Sequence, residues 1–179
     1  MLAKIAFALI PVVLWGALEA QLTALSGASA QSHHNEEQVR DLIARWNTAY
    51  RALDSRALAA LETDDYQMVD RFGEWYDSRG AAENERLWAW AFANIYRGKP
   101  GPDRHIESIR FLQPDVSIVM AKAQWGEIKL DDGRRIPPHG EIDTFVVVRD
   151  GGAWKVSQLD IANQMESSRP GEHSDIPHE

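Results

Sequence analysis

Apolar and polar positions follow two different rhythms along this chain. Over residues 36–54, Val39, Leu42, Ile43, Trp46, Ala49, Tyr50 and Leu53 recur at helical spacing. Asn35 is placed to cap that helix, and Glu36 and Glu37 lie in its first turn, where the dipole favours acids. Asp54-Ser55 caps a short second helix predicted to reach about Glu62, burying Leu58 and Leu61. Residues 65–70 alternate instead, placing Tyr66, Met68 and Asp70 on one face, and Gly73 turns the chain towards Glu74-Trp75-Tyr76. A third helix is predicted over 79–97, with Leu87, Trp88, Ala91, Phe92 and Ile95 as its stripe. Gly98-Lys99-Pro100-Gly101-Pro102 stops it.

From residue 104 onwards strand patterns dominate. Residues 104–112, 116–130, 141–149 and 154–162 are rich in Ile, Val, Phe and Trp. Gln113-Pro114-Asp115, Asp131-Asp132-Gly133 and Asp150-Gly151-Gly152 separate them as hairpin signals. Helices followed by a meander of long strands predict an α+β fold: a cone-shaped, curved antiparallel β-sheet with about three helices on its concave face. A cone of this kind encloses a pocket between sheet and helices, the default place for a site.

Composition sharpens the picture at the N-terminus. Lys4, the apolar run 5–18 and the small residues ending in Ala28-Ser29-Ala30 have the order of a secretory signal peptide cut after Ala30. The run is shorter than the ~20 residues that span a bilayer. Residues 1–30 are therefore expected to be removed, leaving no membrane attachment and a periplasmic or secreted protein. An unstructured start at 31–35, a domain over 36–163 and a flexible tail at 164–179 complete the expected organisation. The net charge of −8, with no Lys/Arg cluster, argues against nucleic-acid binding. The chain has no cysteine, which excludes disulfides, thiolate metal sites and a cysteine nucleophile. Gly-rich phosphate loops, a serine elbow and zinc-type histidine spacing are absent too, and neither cofactor nor metal is expected.

Several stretches resemble the nuclear-transport-factor-2-like (cystatin-like) superfamily and, within it, the SnoaL-like group of polyketide cyclases and their relatives. They are Trp46-Asn47-x-x-Tyr50-x-x-x-Asp54, Leu58-x-x-Leu61, Asp64-Asp65-Tyr66, Phe72-Gly73, Arg110-Phe111-Leu112-x-Pro114-Asp115-Val116, residues 144–149 and Gly151-Gly152-x-Trp154-Lys155-Val156. The resemblance covers about residues 36–163. It implies the fold and a homodimer, and it leaves the reaction open, because this superfold hosts isomerases, dehydratases, cyclases, hydrolases and non-enzymatic binders. In the ketosteroid isomerase branch a strand Asp is the general base, and a helix-one tyrosine with a protonated Asp forms the oxyanion hole. By that comparison Asp70 falls where the base is expected and Asp143 resembles the oxyanion Asp. The tyrosine position is Asn47 here, with Tyr50 one turn away.

Asp70 and Asp143 are the candidate catalytic acid and base, because an apolar cavity pushes the pKa values of two carboxyls apart. The competing reading puts each in water or pairs it with Arg71, Arg110 or Arg149. Trp46, Asn47, Tyr50, Tyr66, Met68, Trp88, Phe92, His105, Phe111 and Phe145 are the expected pocket lining. Alternation puts His105 on one face with Glu107, Ile109 and Phe111, and His139 with Glu141, Asp143 and Phe145. The second set is read as a solvated strand entrance, since neighbours on one strand do not converge on a metal. Trp75 and Trp90 fall outside the apolar stripes and suit a cavity wall or a partner surface. The function expected is binding of a small hydrophobic or aromatic molecule, with isomerase, cyclase or dehydratase chemistry alpha to a carbonyl. The alternative is a non-catalytic ligand-binding or dimeric interaction module.

Overall fold

The helical rhythm of the N-terminal third extends well before residue 36. In the computed structural model, which describes residues 12–71, 73–94, 96–99, 101–129 and 135–164, helix α1 spans Val12–Arg51 without a break. Between Ala17 and His34 there is one glycine and no proline, so nothing stops propagation. Asn35 accordingly lies inside α1 and does not cap it. Its Oδ1 accepts a hydrogen bond from Gln31 Nε2 one turn earlier, at 3.0 Å. Residues 31–35, expected to be unstructured, are helical in the full chain. No helix among the described residues is long and apolar enough to cross a membrane. Residues 1–38 and 39–179 form two compact units, and the second holds the C-terminal stretch of α1 and every other element.

Helix α2 (Ser55–Ala59) is capped as expected, the Asp54 carboxylate accepting from the Ala57 amide at 2.9 Å. It ends sooner than residue 62, and strand β1 (Glu62–Val69) begins there. Strand β2 (Trp75–Asp77) and helix α3 (Ala81–Asn94) follow. The remaining elements are β3 (His105–Gln113), β4 (Val116–Trp125), β5 (Ile128–Lys129), β6 (Arg135–Ile136), β7 (His139–Asp150) and β8 (Ala153–Gln164). The predicted strand 116–130 is thus two strands, β4 and β5, parted at Gly126. Phe72, Ile95, the Asp131-Asp132-Gly133 turn, residues 1–11 of the expected export segment and residues 165–179 of the expected tail lie outside the described residues.

Six strands form one sheet in the order β2-β1-β8-β7-β4-β3, and β5 pairs with β6 in a second, small sheet. Neighbours in the large sheet run antiparallel except β1 and β8, which are parallel. The meander read from sequence accounts for β3, β4, β7 and β8. The parallel pair adds β1 to its flank, so that Val69 registers with Asp160 and Asp143 of β7 with Ile161.

Period-two alternation selects the face that receives the helices. Met68, Leu159, Phe145, Val147, Val119 and Ala121 are buried there against Val39, Leu42, Ile43, Trp46 and Tyr50 of α1 and Trp88, Ala91 and Phe92 of α3. Trp46 is central. It stacks on Tyr50 (5.0 Å, 16°) and meets Trp88 and Phe145 edge-on at 5.6 and 5.4 Å. Each such pair contributes about 0.5–1.5 kcal/mol beyond its area burial. Gly101 is required by close approach, since a Cβ there would stand 2.5 Å from the Tyr50 hydroxyl oxygen and 2.8 Å from the Trp125 ring.

Candidate functional site

Among the described residues, the largely apolar inner face of the sheet carries buried charges, beginning with Arg104, immediately before β3. Asn47 on α1 grips the Arg104 backbone from both sides: its Nδ2 donates to the Arg104 carbonyl and its Oδ1 accepts from the Arg104 amide, each at 2.9 Å. Fixed in this way, the side chain enters the core. The guanidinium carbon lies 4.0 Å from the Tyr50 ring centroid and 5.0 Å from Trp46. Nε donates to Asp143 Oδ2 at 2.7 Å and Nη1 to the Pro102 carbonyl at 3.1 Å, and both side chains of the ion pair are fully buried. Burial pulls the guanidinium downward, but Tyr50, Asp143 and Tyr96 outweigh it and the net shift is upward. Asp143 moves up from the ordinary carboxylate range because burial exceeds the opposing pull of Arg104.

A second carboxyl stands close by. Glu62, at the start of β1, is only 2% exposed and accepts a hydrogen bond from Trp88 Nε1 at 2.7 Å. Desolvation raises its pKa to about 8, with the Trp88 and Trp46 indoles acting in the opposite direction. At neutral pH it is therefore mainly a carboxylic acid, whereas Asp143 is ion-paired with Arg104. Tyr66 of β1 lies among these groups. Burial holds its hydroxyl pKa well above the usual value, and Glu62, Tyr96, Arg104 and Asp143 all act on it electrostatically. Among the described residues, the Tyr66 hydroxyl and Asp143 Oδ1 are buried without a hydrogen-bond partner.

A further charged layer follows along β7. Glu141, fully buried, meets Arg71 Nη1 at 3.0 Å. The Arg71 guanidinium lies 4.6 Å from the Trp125 ring centroid. Trp125 in turn stacks with Tyr96 (5.9 Å, 16°) and with His139 (6.2 Å, 7°). His139 is thus a stacked ring, not a solvated strand entrance, with its Nε2 4.0 Å from Glu141. Among the described residues no three His, Asp or Glu side chains come together as a metal-holding group.

The candidate pair divides. Asp143 is inside the cluster. Asp70 also lies on the buried side, but it belongs to the turn after β1: its Oδ1 accepts from the Glu74 amide at 2.9 Å and its Oδ2 from the Tyr76 hydroxyl at 3.4 Å. The register leaves Ile161 between Asp70 and Asp143, and two strand spacings put their backbones roughly 10 Å apart. Trp46, Tyr50, Tyr66, Met68, Trp88, Phe92 and Phe145 are buried in the interior, and half-buried Asn47 acts through Arg104. Phe111 sits at the far end of β3 from Arg104, edge-on to Trp154 at 5.9 Å.

His105 does not line the interior. It is exposed and registers with Lys122, because a bulge between Ile106 and Ser108 reverses the alternation that otherwise joins His105 to Ile109 and Phe111. Trp75 and Trp90 are surface residues, 68% and 49% exposed. Glu62 and Arg104 are the functional candidates that sequence reasoning missed. For Glu62 alternation is no guide, since Glu62 and Thr63 are both buried, Asp64 is exposed and the register shifts between Glu62 and Gln67. For Arg104 there was no signal.

Comparison with known proteins gives no matching family model and no matching curated protein. Solved structures do match. An uncharacterised Caulobacter vibrioides protein with a cystatin-like fold is 17% identical, with a TM-score of 0.61 over 73% of this chain and 89% of that one. A ketosteroid isomerase-like protein from Erwinia carotovora atroseptica is 15% identical, with a TM-score of 0.59 over 73% and 96%. A nuclear-transport-factor-2-like protein of unknown function from Shewanella oneidensis is 12% identical, with a TM-score of 0.55 over 72% and 98%. Identities this low speak for architecture and not for activity, and the chain has the nuclear-transport-factor-2-like, or cystatin-like, fold that the sequence resemblance implied.

Proposed function

We propose that this chain is an exported protein that binds a small hydrophobic, carbonyl-bearing molecule between sheet and helices and moves a proton alpha to the carbonyl. One observation carries the reading: Glu62, mainly protonated at neutral pH, and Asp143, ion-paired with Arg104, share one aromatic-walled interior and both act on the Tyr66 hydroxyl. A protonated acid and an ion-paired carboxylate in one apolar site are an arrangement that acid–base chemistry can use. Asp143 is the base that takes the proton from carbon. Glu62 and Tyr66 donate hydrogen bonds to the carbonyl oxygen as it gains enolate charge, and Asp143 returns the proton at a second carbon. Asp70, tied into its turn, has no part in this step.

The test starts from protein recovered from the periplasm. N-terminal sequencing reads the cut, with Gln31 expected first and an intact Met1 counting against export. Mass spectrometry of co-purified small molecules then supplies the substrate. With that molecule, Asp143→Asn is expected to lower turnover by a factor of 10² or more while the circular dichroism spectrum is kept.

A second reading is favoured by Arg104, whose guanidinium spans the centre of the interior and neutralises Asp143. On that reading the protein is a binder without turnover, and Asp143→Asn alters affinity only severalfold. An assembly of two copies belongs to both readings, and sedimentation at micromolar concentration gives its mass.

A further inference from the structure

Cleavage after Ala30, proposed above for the exported protein, leaves a chain that begins Gln31-Ser32-His33, with a histidine third. A free terminal amine, the two backbone amides that follow it and an imidazole in third place offer four nitrogens to one ion, in closely fused chelate rings. Square-planar nitrogen sites suit Cu(II) and Ni(II). Such a site uses a single side chain. Neither the lack of cysteine nor the lack of a His, Asp and Glu cluster among the described residues therefore bears on it.

The helix explains why the cut would create the site. α1 runs unbroken over Val12–Arg51, so in the full chain the Ser32 and His33 amides donate within it to the carbonyls of residues 28 and 29. Removing residues 1–30 takes away both acceptors together with the peptide bond that blocks the Gln31 nitrogen. A helix beginning at residue 31 has no intrahelical acceptor for its first four N–H groups, and the two amides a metal requires are among them. Gln31, Ser32, His33 and His34 are all exposed, whereas Asn35 and Val39 are buried, so coordination reshapes the first turn alone. The Gln31 side-chain amide, which could cyclise onto the new amine, instead donates to Asn35 Oδ1 one turn further on, at 3.0 Å.

We propose that the mature chain binds one Cu(II) or Ni(II) ion through the Gln31 amine, the Ser32 and His33 amides and the His33 imidazole. The ion displaces the protons of the amine and both amides into solvent, so affinity rises with pH. The proposal rests on the export reading and adds a metal site at the cut.

The test uses mature protein from the periplasm, its terminus sequenced and its intact mass measured, titrated with copper(II) sulfate and followed by visible absorption. One equivalent is expected to give the violet band of a square-planar, four-nitrogen Cu(II) centre and to saturate it. His33→Ala should abolish the band and His34→Ala should keep it. Ser32→Pro, tolerated in the first turn of a helix, removes one of the two amide protons and should abolish it with every imidazole still present. A free Gln31 terminus without the band, or a band that survives His33→Ala or Ser32→Pro, overturns the inference and leaves export standing. So does a cut elsewhere, or a terminus lighter by one ammonia because Gln31 has cyclised. An intact Met1 overturns both.

Discussion

Glu62→Gln is the substitution whose consequence follows most directly from the geometry. The carboxyl is 2% exposed, and burial raises its pKa from 4.5 to about 8. A group whose folded pKa lies above its unfolded value favours the folded state at low pH, and its contribution is lost as pH rises. Between pH 4.5 and 8 that loss proceeds at about 1.4 kcal/mol per pH unit, reaching about 5 kcal/mol at the upper end. Gln keeps the carbonyl oxygen that accepts from Trp88 Nε1 and has no proton to lose. Urea midpoints of both proteins should be followed from pH 5 to 8.5 through the fluorescence of Trp46 and Trp88. Similar stabilities are expected at pH 5, with the variant gaining steadily over the parent and leading by several kcal/mol at pH 8. Other titrating groups cancel in the difference. If the two stability curves run parallel across this range, Glu62 is not a neutral buried acid, and the acid assigned to the proposed chemistry disappears with it.

Two further outcomes test the packing around the site. Arg104→Met should lower stability by about 3–5 kcal/mol, because it strands the Asp143 carboxylate in a dry interior. Adding Asp143→Leu should restore most of that loss, and strictly additive losses in urea melts would contradict the pairing. Gly101→Ala should cost about 1–3 kcal/mol by thermal unfolding, with Tyr50→Phe in the same chain relieving the overlap at the hydroxyl. Unchanged melting for Gly101→Ala would show that the approach is loose.

Much of the fold was readable because it rests on repeated local choices. The 3.6-residue stripe from Val39 to Tyr50 and the alternation of Tyr66 and Met68 each bury one face, and a single face is what periodicity reports. Asp143 stood out for the same reason, as an acid in an apolar strand. What was not readable depends on contacts distant in sequence or on local exceptions to a period. Arg104 opens a strand beside Pro102-Asp103, where an arginine is ordinarily solvated. Its burial depends on Asn47 and Asp143, neither near it in sequence. The bulge that turns His105 outward leaves no trace in composition, since the inserted residue, Glu107, continues an acceptable alternation. Glu62 was assigned to the end of a helix because Leu58 and Leu61 fit a helical period, whereas α2 stops at Ala59.

The parallel pairing of β1 with β8 has a consequence in time as well as in space. The Leu61 carbonyl accepts from the Val156 amide at 2.9 Å, so the segment leading into Glu62 is held by the last strand of the domain. Contacts this distant in sequence form late, after a large loop has been closed. As the chain emerges from the ribosome, Glu62 is an ordinary solvated carboxylate. It acquires its unusual proton affinity only when β8 docks. The chemistry of the interior is therefore a property of the completed domain, and a chain truncated before residue 153 would have every residue of the cluster and none of its electrostatics.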